Sequence, residues 1–238
     1  PNFVANRIGV FSVIATMLHT GRFGLGFDEV DALTGPAIGR PKSATFRTVD
    51  VAGLDTTAHV IGTMRDTLPD DPWRPHFEVP AVLAALVAKG ALGQKAKAGF
   101  YRKQGRDIQV LDPAAGDYRT SAGAVDAEVQ AILAIAHPGE KLGRLRAHPH
   151  PQAQFLWAIF RDVFHYCAVQ LASIADNARD VDLAIRWGFG WQLGPFETWQ
   201  AAGWSEVAGW IAEDIAAKKA LADVPLPAWV RGGKVSAA

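Results

Sequence analysis

The sequence predicts an all-α chain built from two tandem homologous helical domains, with one small β-hairpin. Two observations lead to this prediction. Apolar residues return every three or four positions over several long segments, which is the spacing of an amphipathic helix. A pattern first seen at residues 28–55 returns in shortened form at residues 180–204. The sequence shows no strand–helix–strand alternation with a G-x-G-x-x-G turn, so no Rossmann domain is predicted in this chain.

Two pairs of matching residues anchor the repeat. Val30-Asp31 matches Val181-Asp182 at a separation of 151 residues, and Phe46 matches Phe196 at a separation of 150. One residue is therefore lost from the turn between the two anchors. From this spacing we predict three parts, which are a first domain at residues 1–110, a linker at 111–124 and a second, degenerate copy at 125–238.

In the first domain, glycine and proline residues separate the predicted helices. Apolar residues from Phe3 to Leu18 indicate a helix over residues 3–19, and Gly21, Gly24 and Gly26 are predicted to end it in a loop. Asp28 and Glu29 then suit the positive N-terminal end of a short second helix. The elements predicted after it are helices at about 43–53, 55–67 and 79–89, and a hairpin that turns at Gln104-Gly105.

The second domain is predicted from the same signals. His137-Pro138-Gly139 is interpreted as the end of one helix, and residues 139–151 as a loop or a short helical connection. His148 and His150 have a spacing seen in metal sites, but no carboxylate or cysteine lies near them in the sequence, so we predict a loop there. The helices predicted for this domain lie at 125–136, 152–176 and about 205–220.

Composition excludes several classes of function. Of the 238 residues, 49% are hydrophobic, and 24 Lys and Arg balance 24 Asp and Glu. A formal net charge of zero gives no sign of a nucleic-acid partner or an anionic membrane surface. The longest apolar helical run is interrupted by charged residues, so no membrane span is predicted.

The single cysteine, Cys167, excludes an intramolecular disulfide and a cysteine-based zinc site. A reducing, cytoplasmic location is the expectation that follows. The chain opens with Pro1 rather than Met and begins at once in an apolar segment, from which we expect a piece of a larger protein.

The first helix contains a polar pair, Asn6-Arg7, between apolar neighbours. A buried amide needs hydrogen-bond partners for its donors and its acceptor. The pair is therefore either a satisfied polar contact at a helix edge or, for Asn6, an amide that faces a ligand at the mouth of a cleft. The residues alone leave both interpretations open.

Three motifs together resemble one family, and they cover nearly the whole chain in that family's order. The opening run PNFVANRIGVF resembles the start of the helical C-terminal part of 3-hydroxyacyl-CoA dehydrogenases, and both copies of the repeat resemble that part's signature. The first copy, with Arg40-Pro41-Lys42-Ser43, is similar to large bacterial β-oxidation proteins that fuse dehydrogenase and enoyl-CoA hydratase units. Lys95 to Tyr101 resembles the family's Lys-Thr-Gly-x-Gly-Phe-Tyr turn, with Ala98 in place of a glycine.

The resemblance implies a 6-phosphogluconate dehydrogenase C-terminal-like fold and an NAD-dependent (S)-3-hydroxyacyl-CoA dehydrogenase of fatty-acid β-oxidation. It places the NAD-binding glycines, a catalytic His–Glu pair and a catalytic Ser in a preceding N-terminal domain. The His–Glu pair would withdraw the proton of the 3-hydroxyl group as hydride passes to NAD. Asn6 is the only one of the family's catalytic residues that this chain contains, and it would orient the acyl-CoA substrate. The isolated chain is then expected to bind no NAD and to be inactive, and an enoyl-CoA hydratase domain is a possible C-terminal neighbour.

Two further sets of residues are candidates for substrate contact. Lys42, Ser43 and Thr45 form a polar turn in the first copy only, which either binds acyl-CoA or is a solvated loop. A basic cluster near the hairpin either attracts the phosphates of CoA or is a solvated face, and it consists of Lys95, Lys97, Arg102, Lys103 and Arg106.

Two rival functions stay open. In place of the function that the resemblance implies, the chain is either a purely structural helical interaction module, with Asn6 a buried polar residue, or a helical domain of another hydroxy-acid dehydrogenase.

The second copy has Phe160-Arg161 where the first has Asn6-Arg7, so this copy is predicted to be structural.

Overall fold

The structure, a computed structural model, describes residues 3–232. Twelve α-helices and three strands lie in this range, which confirms the predicted helical class. The first half contains α1 (Val4–Phe23), α2 (Phe27–Leu33), α3 (Phe46–Ala52), α4 (Leu54–Thr67) and α5 (Ala81–Ala88). The second half contains α6 (Ala127–Leu133), α7 (Pro138–Ala147), α8 (Pro151–Ile174), α9 (Ala178–Phe189), α10 (Pro195–Ala201), α11 (Trp204–Ala216) and α12 (Ala228–Arg231).

The long helices α1 and α8 form the centre of the molecule and run antiparallel. Near the start of α1, Phe11 stacks on Tyr166 with ring centroids 3.8 Å apart and planes 8° apart. Towards its end, His19 bonds Asp162, which lies one turn earlier on α8, at 2.7 Å. All four side chains are buried, so the two halves of the chain share one apolar core.

Helix α1 is longer than predicted, since it continues to Phe23, and its C-cap is Gly24, the second of the three glycines expected to end it. Gly24 has φ of +66°, and its amide N–H donates to the carbonyls of Gly21 and Thr20. This left-handed conformation is the usual end of a helix and suits glycine. Gly21, which has open space around its Cα, is accommodated inside the helix.

The predicted hairpin is present and has a third strand. Strands β1 (Tyr101–Gln104), β2 (Asp107–Asp112) and β3 (Asp117–Thr120) form an antiparallel sheet in that order. Strand β3 lies inside the predicted linker at 111–124, so that segment is not an unstructured connection. Its order has a local cause: Gly116 at φ of +68° closes a turn, and Tyr118 pairs with Leu111 across the sheet.

Helix α7 corrects the expectation of a loop or short connection at 139–151. It has ten residues and begins with Pro138, whose missing N–H costs nothing at a first helical position. His137 caps it, because its ring Nδ1 accepts from the amide of Glu140 at 3.2 Å. The sequence interpretation took this His-Pro-Gly run as a helix end, whereas it is a helix start.

No helix between residues 3 and 232 has both the length and the apolar character needed to cross a membrane.

Candidate functional site

The candidate catalytic amide, Asn6, lies in the first turn of α1 and is exposed. Phe3 precedes the helix in an extended conformation, and its carbonyl accepts from the amide of Arg7 at 2.9 Å. The side chain of Asn6 therefore projects from regular helix and not from a loop. The amide is open to a ligand at this helix edge, and its contact with substrate stays a prediction.

The next residue, Arg7, fixes this turn to the rest of the molecule. Its side chain is 5% exposed and lies 2.9 Å from Asp71, a residue of the proline-rich loop that follows α4. The guanidinium also donates to the hydroxyl of Tyr166 at 2.6 Å and to the side-chain oxygen of Gln170 at 3.0 Å, both on α8. A buried arginine with this many charge-assisted contacts holds the start of α1 in one position.

The end of α9 packs against the same part of α1. A Cβ atom on Gly9 would meet the ring of Phe189 at 2.0 Å, and one on Gly188 would meet the Cβ of Ala5 at 2.7 Å. Glycine is thus required on both helices for this close approach. The second half of the chain therefore supports the turn that carries Asn6.

The signature aspartates of the repeat perform the same structural task in both halves. The carboxylate of Asp31 accepts from the amides of Thr45, Phe46 and Arg47 at the start of α3, at 2.7–3.1 Å. Asp182 accepts from the amides of Phe196 and Glu197 at the start of α10, at 2.8 and 3.1 Å. These are the matched positions of the repeat, so the sequence pattern corresponds to a repeated helix-capping contact.

Burial dominates the ionisation of both aspartates. It raises the pKa of Asp31 to about 6 and that of Asp182 to about 7, although the backbone amides bonded to each carboxylate lower it. Neither group has a catalytic geometry, because its oxygens are occupied by main-chain donors.

The Gly-Phe-Tyr turn is also structural. The amides of Phe100 and Tyr101 donate to the carboxylate of Asp50 at 2.8 and 2.9 Å, and the hydroxyl of Tyr101 donates to Asp31 at 2.9 Å. A Cβ on Gly99 would lie 2.1 Å from the Asp50 carboxylate, which explains why a glycine stands there. The motif connects the sheet to α2 and α3.

The three predicted substrate-contact residues have different environments. Lys42 is exposed, and Ser43 is partly buried with its hydroxyl accepting from Thr48 at 2.8 Å. Thr45 is 5% exposed, and its hydroxyl is bonded to that of Thr34 at 2.8 Å. The interior position of Thr45 gives its hydroxyl a structural partner. Contact with substrate stays a prediction for all three.

A surface groove of about 650 Å³ lies between α3 and the sheet, and we call it the Ser43 groove. Ser43 and Tyr101 contribute to its wall, and its cationic members are Arg47, Lys97, Arg102 and Lys103. Three of these belong to the basic cluster predicted from the sequence. Lys95, another member of that cluster, does not line the groove, and its amino group is bonded to Asp55 at 2.7 Å. The groove was not predictable as a unit, because Arg47 comes from a different element.

Two arrangements that bind cofactors in other proteins are not seen among the described residues. Within residues 3–232 the strands form one antiparallel sheet, without the parallel strand–helix–strand unit that binds NAD. In the same range, no group of three or more His, Cys, Asp or Glu could hold a metal. His150 instead caps α8, because its ring Nδ1 accepts from the amide of Gln152.

Sequence reasoning missed the partners of Arg7. A signal was present, because an arginine inside an apolar helix requires a buried acceptor. The acceptor itself could not be named, since Asp71 lies 64 residues away in the chain.

Comparisons with known proteins agree with these motifs. Residues 3–103 match the family model of the 3-hydroxyacyl-CoA dehydrogenase C-terminal domain. A protein of Bacillus subtilis named "Probable 3-hydroxyacyl-CoA dehydrogenase" is 39% identical over 234 residues, which is 90% of this chain and 28% of that protein. A Rickettsia felis protein, assigned by name as a fatty acid oxidation complex trifunctional enzyme, is 24% identical over 214 residues, 87% of this chain and 28% of that protein.

A solved structure shows the same fold. The crystal structure of 3-hydroxybutyryl-CoA dehydrogenase from Escherichia coli superposes with a TM-score of 0.63 at 15% identity, over 98% of this chain and 59% of that one. The chain spans less than a third of the length of the two relatives. The motifs, the fold and the family match agree, and residues 3–103 are a C-terminal domain of the 3-hydroxyacyl-CoA dehydrogenase family.

Proposed function

We propose that this chain is the helical, substrate-binding part of an NAD-dependent (S)-3-hydroxyacyl-CoA dehydrogenase that converts 3-hydroxyacyl-CoA to 3-oxoacyl-CoA in fatty-acid β-oxidation. The observation that carries the proposal is the exposed amide of Asn6, on a rigid helix start inside the domain that the family model matches. The printed names of the relatives, which refer to 3-hydroxyacyl-CoA dehydrogenase and to fatty acid oxidation, support the same reaction.

The role of Asn6 is orientation. Its amide donates a hydrogen bond to a substrate oxygen near the reacting carbon and takes no proton at neutral pH. The Arg7–Asp71 pair and the packing of α9 hold the turn before substrate arrives. A donor that is already fixed in place loses little entropy when substrate binds, so its hydrogen bond can orient the substrate.

NAD belongs to the proposed reaction as the hydride acceptor, and its domain is a separate part of the protein. The antiparallel sheet of the described residues does not fit a dinucleotide. We therefore assign the NAD-binding glycines and the proton-transferring pair to an N-terminal domain outside this chain. The isolated chain is proposed to be inactive for this reason.

The Ser43 groove is proposed to contact the CoA part of the substrate. Its four cationic side chains could neutralise CoA phosphates, and Val51, which is 60% exposed, adds an apolar edge. Asp50 also lines the groove, but its carboxylate is bonded to the amides of Phe100 and Tyr101. Ser43 and Lys42 would then be substrate contacts of the first domain alone.

Two features of the cellular setting complete the proposal. The trifunctional relatives support neighbouring catalytic domains in the same protein, and we propose an enoyl-CoA hydratase domain as one of them. A cytoplasmic location is proposed from the single buried thiol, Cys167.

The experiment that tests the function uses the full-length protein that contains this chain. Reduction of NAD is followed by absorbance with a 3-hydroxyacyl-CoA and with the corresponding free 3-hydroxy acid. The proposal expects turnover of the CoA ester and little or none of the free acid. Equal rates would support another hydroxy-acid dehydrogenase, and no turnover of either substrate would support a purely structural module.

The isolated 238-residue chain serves as the negative control in the same assay. It is expected to show no NAD reduction with either substrate. Turnover by the isolated chain would contradict the assignment of NAD binding to a separate domain.

A further inference from the structure

A second pocket lies at the junction of the two halves, away from Asn6. It has a volume of about 360 Å³, and we call it the junction pocket. Arg22 and Phe23, at the end of α1, form one side, and residues of α7, α8 and α11 form the rest together with Lys219, which follows α11. Asn6 and Arg22 are sixteen residues apart on α1, which corresponds to about 24 Å along the helix axis. The pocket is therefore separate from the proposed substrate site.

Most of the charged residues that line the junction pocket are cationic. Arg22, Arg146, Arg161 and Lys219 line it, against one acidic residue, Asp214. The carboxylates nearby already have partners: Asp214 accepts from Trp157 and Arg161, and Asp162 from Arg161 and His19.

Two of the cations have no carboxylate partner among residues 3–232. Arg22 donates only to the carbonyl of Lys219, at 3.0 Å, and the amino group of Lys219 has no ion pair within that range. The carbonyl of Lys219 also accepts from Arg161 at 2.8 Å, so two guanidinium groups, those of Arg22 and Arg161, meet at the main chain of Lys219. The charges of Arg22 and Lys219 are available to an anion that enters the pocket, whereas Arg161 is paired with Asp162 and Asp214.

Arg146 adds an unused donor. Its Nη2 atom bonds Glu213 at 2.6 Å and Asp214 at 3.4 Å, but its Nε–H is buried without an acceptor in the described part of the chain. A buried donor without a partner destabilises the folded state. An oxygen of a bound anion would satisfy it.

Two tryptophans, Trp157 and Trp210, form an aromatic part of the pocket wall. Trp157 and Trp210 meet edge to face with centroids 5.9 Å apart, and Trp210 packs over Gly143. The guanidinium of Arg146 lies 5.8 Å from the ring centroid of Trp210. A flat ring can rest on the indole of Trp210 while an attached anionic group reaches the arginines.

We propose that the junction pocket binds a small phosphate-bearing molecule with a planar ring, of the chemical class of an adenine nucleotide. The phosphate oxygens accept from Arg22, Arg146 and Lys219, and the ring packs against Trp210. Arg161 shapes the floor, since its side chain is 4% exposed and its donors are bonded within the wall. The site requires both halves of the chain, because Arg22 comes from the first and the other contacts from the second.

Titration of ADP into the full 238-residue chain, followed by calorimetry and tryptophan fluorescence, tests the proposal. ADP is expected to bind with Kd below about 1 mM, and pyrophosphate and adenosine each more weakly. Arg22→Gln and Arg146→Gln should each weaken ADP binding by about tenfold or more, because each removes a charged donor. Arg186→Gln, which changes an exposed arginine paired with Glu197, is the matched control and should bind as the wild type does.

The contribution of the ring is tested with Trp210→Leu. This variant should bind pyrophosphate as the wild type does and should lose the advantage of ADP over pyrophosphate. Circular dichroism and thermal melting confirm that each variant is folded. The proposal is overturned if the wild type binds no ADP, if both arginine variants bind it unchanged, or if pyrophosphate binds as tightly as ADP.

Discussion

Helices α1 and α8 each contain a buried arginine, in the first turn of α1 and near the middle of α8, but the residue before it differs. Arg7 is 4% exposed and Arg161 is 3% exposed, and each is bonded to buried aspartate. Asn6 precedes Arg7 and is exposed, whereas Phe160 precedes Arg161, is partly buried and lies 5.8 Å from Phe164. The arginine is thus a structural feature of both halves, and the amide is a feature of the first half alone. This difference is why we assign the proposed chemistry to the first half.

The largest expected effect follows from breaking the arginine contact. Arg7→Met leaves Asp71 buried without its cation and is expected to lower the free energy of unfolding by about 3–5 kcal/mol. Urea denaturation measures the change. Arg161→Met should cost less, since Asp162 keeps the contact with His19.

Arg65→Met is the control for the arginine variants. Arg65 is partly exposed and pairs with Asp66 and Glu78 at the surface, where solvent screens the charges, so the change should hardly alter the free energy of unfolding. If Arg7→Met were no more destabilising than Arg65→Met, the rigid turn beneath Asn6 would lose its support.

The capping aspartates give the next effect in size. Asp31→Ala removes the acceptor of three amides and of the Tyr101 hydroxyl, and Asp182→Ala removes the acceptor of two amides. Loss of a helix cap costs about 0.5–2 kcal/mol, so both variants should be destabilised and Asp31→Ala more strongly. Chemical denaturation of the pair side by side measures the order. The reverse order would show that the number of bonded donors does not set the cost.

A smaller effect concerns pH. Because the pKa of Asp182 is raised to about 7 in the folded chain from an ordinary value of 3.8, the folded state holds more protons between these pH values. Its contribution to stability is therefore full below about pH 4 and falls as the pH rises towards 7. Asp182→Asn should flatten this part of the stability profile, as measured by Tm between pH 4 and pH 8.

Asp28 provides the opposite sign for comparison. Burial would raise its pKa, but bonds from Arg119 and from the amides of Ala122 and Gly123 outweigh burial and lower the pKa to about 2. Its contribution is present above pH 3.8 and is lost as the pH falls towards 2. If Asp28→Asn and Asp182→Asn changed the pH profile in the same direction, the assignment of the two environments would be wrong.

The sequence predicted the helical class, most helices and the hairpin, because these depend on local apolar spacing and on turn residues. It also predicted the repeat, and the matched aspartates proved to make matched contacts at Phe46 and Phe196. The start of α7 was misassigned because histidine is an uncommon N-cap, and β3 was missed because four residues carry little periodic signal.

The candidate site was less predictable. Asn6 was located by its resemblance to a family motif, while its support by Asp71, Tyr166 and Gln170 depends on contacts 64 to 163 residues away. Thr45 was grouped with its polar neighbours, but its side chain is buried and its hydroxyl is bonded to that of Thr34. Long-range contacts of this kind are set by packing and not by local pattern.

The central claim is that Asn6 acts on substrate and does not stabilise the fold. The most direct measurement is kcat/KM and Tm of Asn6→Ala in the full-length protein, next to Asn177→Ala, which removes an amide that caps α9. For Asn6→Ala we predict a fall in kcat/KM of about 5- to 150-fold, equivalent to about 1–3 kcal/mol, with unchanged Tm. Asn177→Ala should lower Tm and leave kcat/KM unchanged. A lower Tm with normal kinetics for Asn6→Ala would contradict the account.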